Sequence, residues 1–294
     1  MRPVEFWSEG TLLRGDIFEP PGLAADGRRP GIVLCHGWGG TKQHLHSIGL
    51  PQRLAEAGFV VLAFDYRGWG ESESRVVVLE PLPKEKTEAS ARVRVIREVV
   101  DPFDEAWDIR HAIDFLQGEP SVDPARIGLW GSSYGGGLVV WLAAHDDRVR
   151  CVVSQVAVQD SRALAASRMH SFPRAREEMR ALASAQARGE AEPIPQSIDA
   201  TRGLRGTPHS AKMYYFAPVE LAERITVPVL LIDAEHEELW DRTQHSKLLY
   251  ERLRAAGRTD AEYVVIPGIT HYAVYGDKCR EVTELAVQWF QRHL

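Results

Sequence analysis

Apolar residues along this chain fall into runs of two kinds, and their alternation predicts the fold. One kind is unbroken, as in "GIVLCHG" (31–37) and "FVVLAFDYRG" (59–68), the pattern of strands buried on both faces of a parallel sheet. "RIGLWG" (126–131), "VRCVVSQVA" (149–157), "VPVLLID" (227–233) and "AEYVVIPG" (261–268) predict further strands. The other kind is amphipathic and predicts helices over about 44–58, 102–117, 134–145, 241–256 and 278–293. Asp101 can cap the second of these, and Pro102 suits its first turn. "VEFWSEGTLLRGDIFEP" (4–20) alternates around a Glu-Gly turn, as an antiparallel hairpin at a sheet edge would. Strands alternating with helices predict an α/β fold, a mostly parallel sheet with helices on both faces.

Two stretches interrupt the alternation. Residues 73–100 are charged and contain proline, with one short apolar run, "RVVVLEPL". Residues 159–216 hold an Arg-rich helical segment, the turn-forming "EPIPQS" and the cluster "KMYYF", between two strands of the sheet. They are expected to form a helical lid whose Met169, Phe172, Met213, Tyr214 and Phe216 shape specificity. A length of 294 residues could hold two domains, but large α/β sheets often run this long as one. The expectation is a single domain over 1–294 with a lid insertion at 159–216, without internal repeats or low-complexity tracts.

Composition adds mainly exclusions. A net charge of −6 offers no electrostatic reason for a nucleic acid or an anionic membrane as partner. No apolar run approaches the roughly 20 residues of a membrane-spanning helix. "MRPVEFWSEG" carries charge but no apolar core of a secretory signal, so the expected location is cytoplasmic. Cys35, Cys151 and Cys279 are isolated and odd in number, which fits neither a disulfide framework nor a zinc spacing and predicts buried free thiols.

The chemistry centres on "GLWGSSYGGG" (128–137), where Gly131-Ser132-Ser133-Tyr134-Gly135 is a G-x-S-x-G pentapeptide between a predicted strand and a predicted helix. That context is what a nucleophile elbow requires: a serine on a sharp turn, relieved by flanking glycines, with its hydroxyl at the carboxyl end of the sheet. The register makes Ser133 the central residue and Ser132 a small neighbour. A serine needs a base. Of eleven histidines, His271 in "IPGITHYAVYG" stands on the loop after the last strand. The loop after "VPVLLI" supplies an acid, with Asp233, Glu235, Glu237 and Glu238 all open. "CHGWGGTK" suits an oxyanion site, with the main chain of Trp38 as one donor and Tyr134 N–H as the other. It lacks both the Walker lysine-serine pair and the dinucleotide glycine spacing.

With "HGWGG", "DYRGWGES", "GSSYGG", "PVLLIDAEHEELW" and "PGITHY" in chain order, the sequence resembles the α/β-hydrolase superfamily over nearly its whole length. "VVDPFDEAWDIRHAIDFL" and "VDPARIGLWGSSYGG" are similar to its dienelactone hydrolase and prolyl-oligopeptidase-like branch of serine esterases. Serine departs from the cysteine nucleophile of the dienelactone hydrolases, and the propeller domain of the peptidases is missing. The branch's acid loop usually reads Gly-Glu-x-Asp. Here it is Ala234-Glu235-His236-Glu237, so the resemblance implies a triad of Ser133, Glu237 and His271. Asp65 and Arg67 in "DYRGWGES" are expected to be structural. His44 and His46 are read as surface helix residues, and Arg162, Arg168, Arg174, Arg176 and Arg180 mostly as a solvated face, some of them candidates for an anionic substrate group.

These readings imply hydrolysis of a carboxylic ester through an acyl-enzyme. The expected partner is a small-molecule ester or acyl compound, with no cofactor, no metal, and a homodimer as a candidate assembly. Acyl transfer, amide or peptide hydrolysis on the same triad, and non-catalytic ligand binding are the alternatives.

Overall fold

The computed structural model describes residues 1–24, 27–169, 171–192, 194–195 and 205–294, apart from the side chains of Ser167, Arg168 and Phe172. The chain opens with β1 (Arg2–Ser8) and β2 (Thr11–Phe18), paired antiparallel from Ser8 opposite Thr11. Glu9 and Gly10 between them both have positive φ, the two-residue turn whose twist matches its flanking strands. Then come β3 (Arg29–Cys35), α1 (Lys42–Ser47), α2 (Leu50–Glu56), β4 (Val60–Phe64), and the short β5 (Val76–Val78), β6 (Val93–Val95) and β7 (Val99–Val100). Next are α3 (Pro102–Gly118), β8 (Val122–Ser132), α4 (Tyr134–Ala143) and β9 (Val149–Gln155). The inserted stretch carries α5 (Ser161–Met169), α6 (Phe172–Ala187), β10 (Thr207–Pro208) and the single turn α7 (Ser210–Met213). The chain ends with β11 (Val229–His236), α8 (Ser246–Ala255), β12 (Ala261–Thr270) and α9 (Cys279–His293).

Eight strands form the main sheet in the order β1-β2-β4-β3-β8-β9-β11-β12. From β4 onward every pairing in this order is parallel, which leaves the antiparallel hairpin at the edge. Alternation along each strand divides the core into two layers. Val33, Val60, Leu62 and Phe64 face Ile109, Ile113 and Leu116 of α3 in a layer that also holds α4 and α8. Ile32, Leu34, Val61 and Ala63 face the other way, with Leu50 and Leu54 of α2 and Trp289 and Phe290 of α9. Strands buried on both faces are apolar at every position, which is why the sequence shows unbroken runs there. Asp101 caps α3 by accepting from the N–H groups of Phe103 and Asp104, with Pro102 in the first turn.

Two predicted helices differ from expectation. The segment 44–58 is two short helices, because Gly49 takes φ of 70° and Pro51 starts a new helix. The segment 241–256 is a 3-10 turn, Arg242–Gln244, followed by α8. His245 stands between them at φ −124°, ψ −113°, and its buried Nδ1 accepts the N–H groups of Gln159 and Asp160. The contact ties the start of the insertion to α8, and burial lowers the pKa of this histidine to about 4. It is a structural histidine in a helical register that would otherwise have run through.

Asp65 and Arg67 are both buried and each is held by its own hydrogen bonds. Asp65 accepts the N–H groups of Lys42 and Glu71, at 2.7 and 3.0 Å. Arg67 binds buried Asp108 through Nε at 2.8 Å and also reaches Ser8. All three cysteines are buried free thiols. No helix among the described residues is long and apolar enough to cross a membrane.

Candidate active site

The carboxyl ends of β3, β8, β11 and β12 converge, where open parallel sheets bind their ligands. β8 pairs with β9 up to Ser132 opposite Gln155, and Ser133 is the next residue. Ser133 has φ 58° and ψ −122°, a strained conformation for a residue with a side chain. The turn holds because Ser133 donates its N–H to Gln155 O at 2.8 Å and accepts from the N–H groups of Gly136 and Val158. It also needs glycine on either side. A Cβ at Gly131 would fall on the carbonyl oxygen of Gly135, and one at Gly135 on those of Cys35 and His36. Tyr134 is the first residue of α4, so its N–H has no partner within that helix, and the helix dipole puts positive potential beside Ser133.

Ladder register brings an acid to the histidine. β11 and β12 pair from Val229 opposite Ala261, with an irregularity between Ala234 and His236, and end at His236 opposite Thr270. The next residues on the two strands are therefore Glu237 and His271. Glu237 Oε2 lies 2.8 Å from His271 Nδ1, and both side chains are almost completely buried. Trp240 packs edge-on to the His271 ring at 4.9 Å, with Tyr272 5.1 Å away.

Each remaining acid is engaged elsewhere. Asp233 lies further back on β11, opposite Val265, and accepts from the Tyr263 hydroxyl at 2.9 Å. Glu235 accepts the N–H of Gly268, and Glu238 the N–H of His271, both at 2.7 Å. Both glutamates are exposed, and each holds the β12 end in place by a hydrogen bond to its main chain.

Burial pushes the Asp233 carboxyl up to about 6, against the lowering effect of the Tyr263 hydroxyl. The folded state therefore holds this proton more tightly than the unfolded chain. Its stabilisation is complete below the unfolded carboxylate range and is lost as pH rises through about 6. The loss amounts to roughly 2–3 kcal/mol. Asp233→Asn is expected to flatten the dependence of Tm on pH between 4 and 7. An unchanged slope in thermal melts across that range would refute this.

Ser133 and His271 line one cavity of about 460 Å³, together with Trp38, Leu164, Trp240 and Tyr272. Trp38 follows β3 through His36 and Gly37, and its ring meets Tyr134 edge-on at 5.9 Å. All five expected site residues, Ser133, Glu237, His271, Trp38 and Tyr134, thus lie at one end of the sheet. His36 beneath them is buried against Tyr66, and desolvation lowers its pKa to about 4, so it is neutral at ordinary pH.

Ser132 is more than a small neighbour. Its Oγ lies 2.7 Å from the Tyr275 hydroxyl and accepts from Gln155 Nε2 at 3.2 Å. Tyr275 closes the 3-10 turn that begins at His271, so this buried contact ties the histidine loop to the strand carrying the serine. The spacing of four residues from His271 to Tyr275 in "THYAVYG" is the signal that could have revealed it.

The residues singled out in the insertion separate. Met169 and Met213 line an apolar cavity next to Trp38. Phe216 is fully buried, 6.0 Å from the Tyr134 ring, and belongs to the core. Tyr214 pairs with Arg176 away from the site. Arg162 is held by Asp160 and Glu220, and Arg174 by Glu178. Arg176 and Arg180 line an open surface hollow. Phe172 and Arg168 lie outside the described side chains. His44 is exposed at the cavity rim, and His46 is half-buried near Asp16. The described residues contain no cluster of three or more metal-ligating side chains.

The family model described as the alpha/beta hydrolase fold matches residues 30–201. A 31.7 kDa Escherichia coli protein of the traX-finO intergenic region is 28% identical over 295 residues, covering 91% of this chain and 92% of that one. Thiohydrolase aneE of Aspergillus aculeatus is 32% identical over 155 residues, 51% of this chain and 40% of the thiohydrolase. The crystal structure of hypothetical protein PA2218 from Pseudomonas aeruginosa superposes with a TM-score of 0.74 at 24% identity, covering 100% of this chain and 93% of that one. These similarities do not single out the dienelactone hydrolase and prolyl-oligopeptidase-like branch. A family match across more than half the chain, on the sheet order and strand-end geometry described above, makes this protein a member of the α/β-hydrolase family.

Proposed function

We propose that this hydrolase cleaves carboxylic esters through a covalent acyl-enzyme on Ser133. The observation that carries the reading is the buried Glu237–His271 hydrogen bond beside a strained serine, with both His271 and Ser133 opening into one cavity. In this reading the Glu237 carboxylate accepts the Nδ1–H of His271, which leaves Nε2 as the base. His271 takes the hydroxyl proton as Ser133 Oγ bonds to the substrate carbonyl carbon. The main-chain N–H groups of Trp38 and Tyr134 hold the oxyanion, where developing charge is stabilised at no cost in reorganisation. The protonated His271 then gives its proton to the leaving oxygen as the carbon–oxygen bond breaks. Water, activated by the same base, releases the acid and regenerates the serine.

The same steps serve a thioester, whose leaving group is a thiol. Similarity to a thiohydrolase over half the chain favours including thioesters among the substrates to be tested. Acyl transfer differs only in the nucleophile that attacks the acyl-enzyme. The decisive experiment offers graded p-nitrophenyl esters and acyl thioesters, and stops the reaction in acid for intact-mass measurement. The expected result is a mass increase equal to the acyl group, on the peptide containing Ser133. Turnover without any acylated species, under conditions where deacylation limits the rate, would argue against the covalent route.

A further inference from the structure

A second cavity, of about 310 Å³, lies between α5, α6 and α7. Leu164 and Ala165 of α5, Met179 and Leu182 of α6, and Met213 of α7 supply most of its lining. Of its polar lining residues, Ser161 contacts the Met213 sulfur through its hydroxyl at 3.4 Å, Glu178 is paired with Arg174, and Ser210 stands at the start of α7. Trp38 and Leu164 line both this cavity and the one holding Ser133 and His271, so the two cavities adjoin at these side chains.

Resting on the acyl-enzyme reading, we infer that this methionine- and leucine-lined cavity binds the acyl chain of the substrate, and that the chain is aliphatic and of medium length. Reaction geometry sets the direction. The leaving oxygen must stand within reach of His271 to receive its proton, so the leaving group occupies the side of Trp240, Tyr272 and Tyr275. The carbonyl oxygen sits at the Trp38 and Tyr134 N–H groups. The remaining substituent of the carbonyl carbon, the acyl chain, then extends away from His271, past Trp38 and Leu164. None of His271, Trp240, Tyr272 and Tyr275 lines the second cavity, whereas Trp38 does.

Size sets the length. The cavity corresponds to roughly ten water volumes at ~30 Å³ each, room for a chain of about eight carbons. Methionine suits an occupant without polar handles, since its flexible thioether adapts to a chain of variable shape. Each methylene buried is worth about fourfold in kcat/KM.

The test measures kcat/KM for p-nitrophenyl acyl esters from C2 to C12 with the full-length wild type, Ala165→Trp and Leu182→Trp. The two substitutions fill the cavity from different helices, and thermal melts check that each variant folds. Wild type is expected to rise about fourfold per methylene up to about C8 and then level or fall. Both filled variants are expected to peak near C4, with the C8-to-C2 ratio reduced thirtyfold or more. A flat wild-type profile, or an optimum that neither folded variant moves, would overturn the assignment. If wild type turns over none of these esters and resists an alkyl fluorophosphonate, the serine-hydrolase reading has failed instead. Calorimetric titration of octanoate into Ser133→Ala then reads the cavity alone. Binding weakened at least tenfold by adding Ala165→Trp supports it, and no binding refutes it.

Discussion

Ser133→Ala is expected to abolish turnover and to eliminate covalent labelling by a fluorophosphonate, while Ser132→Ala keeps the label. Losing a triad nucleophile can cost on the order of a million-fold in kcat, or about 8 kcal/mol of transition-state stabilisation. Ser133 is the residue whose backbone is held at positive φ by three main-chain hydrogen bonds. Ser132 is the last residue of β8, and its hydroxyl is committed to Tyr275 and Gln155. Removing the Ser132 hydroxyl leaves two buried polar groups short of a partner, a stability loss of about 1–3 kcal/mol. The two variants should therefore separate cleanly, one losing chemistry and the other losing Tm. Labelling that persists in Ser133→Ala and disappears in Ser132→Ala would reverse the assignment.

Glu237→Gln is expected to preserve the fold and KM yet lower kcat by about 10³–10⁴-fold, by analogy with the aspartate-to-asparagine change in serine protease triads. Glutamine can donate to Nδ1 and so favour the wrong tautomer, and it cannot offset the charge of the imidazolium. Neither neighbouring acid is free to replace it. Glu238 is bound to the main chain of His271, and Glu235 to that of Gly268. Asp233 lies further back along the ladder, with its side chain held by Tyr263. Asp233→Asn should accordingly change kcat far less than Glu237→Gln, with its main effect on the pH dependence of stability. Steady-state kinetics of the two variants on one ester decides the matter. A crippled Asp233→Asn beside a nearly active Glu237→Gln would move the acid role back along β11.

The sequence by itself determined the layer order of the fold, because a strand buried on both faces must be apolar at every position. β3, β4, β8, β9 and β11 announce themselves by long apolar runs, whereas β12 is the far edge strand and carries Glu262, and the Glu-Gly turn marks the edge hairpin. It also singled out Ser133 through the glycines at 131 and 135, although only Gly131 answers to a contact within the turn, whereas Gly135 is required by the approach of Cys35 and His36 at the end of β3. Helix breaks were less legible. Gly49 with Pro51 could have been read as an interruption, but the break at His245 depends on a contact with Gln159 and Asp160, which are distant in sequence.

What only the tertiary structure decided is which partners meet. Four acids crowd the end of β11 and the loop after it, and composition cannot rank them. The ladder between β11 and β12 does so, because its irregular register ends at His236 and Thr270 and leaves Glu237 and His271 side by side. Pairing register is a property of two strands together, so neither segment alone encodes it in readable form. The same holds for the strut from Tyr275 to Ser132, which spans 143 residues of chain. It holds as well for the insertion, whose methionines line a cavity while Phe216, in the same aromatic cluster, joins the core. Local periodicity specifies how a segment folds, whereas the neighbour it meets is set by the packing of the whole sheet.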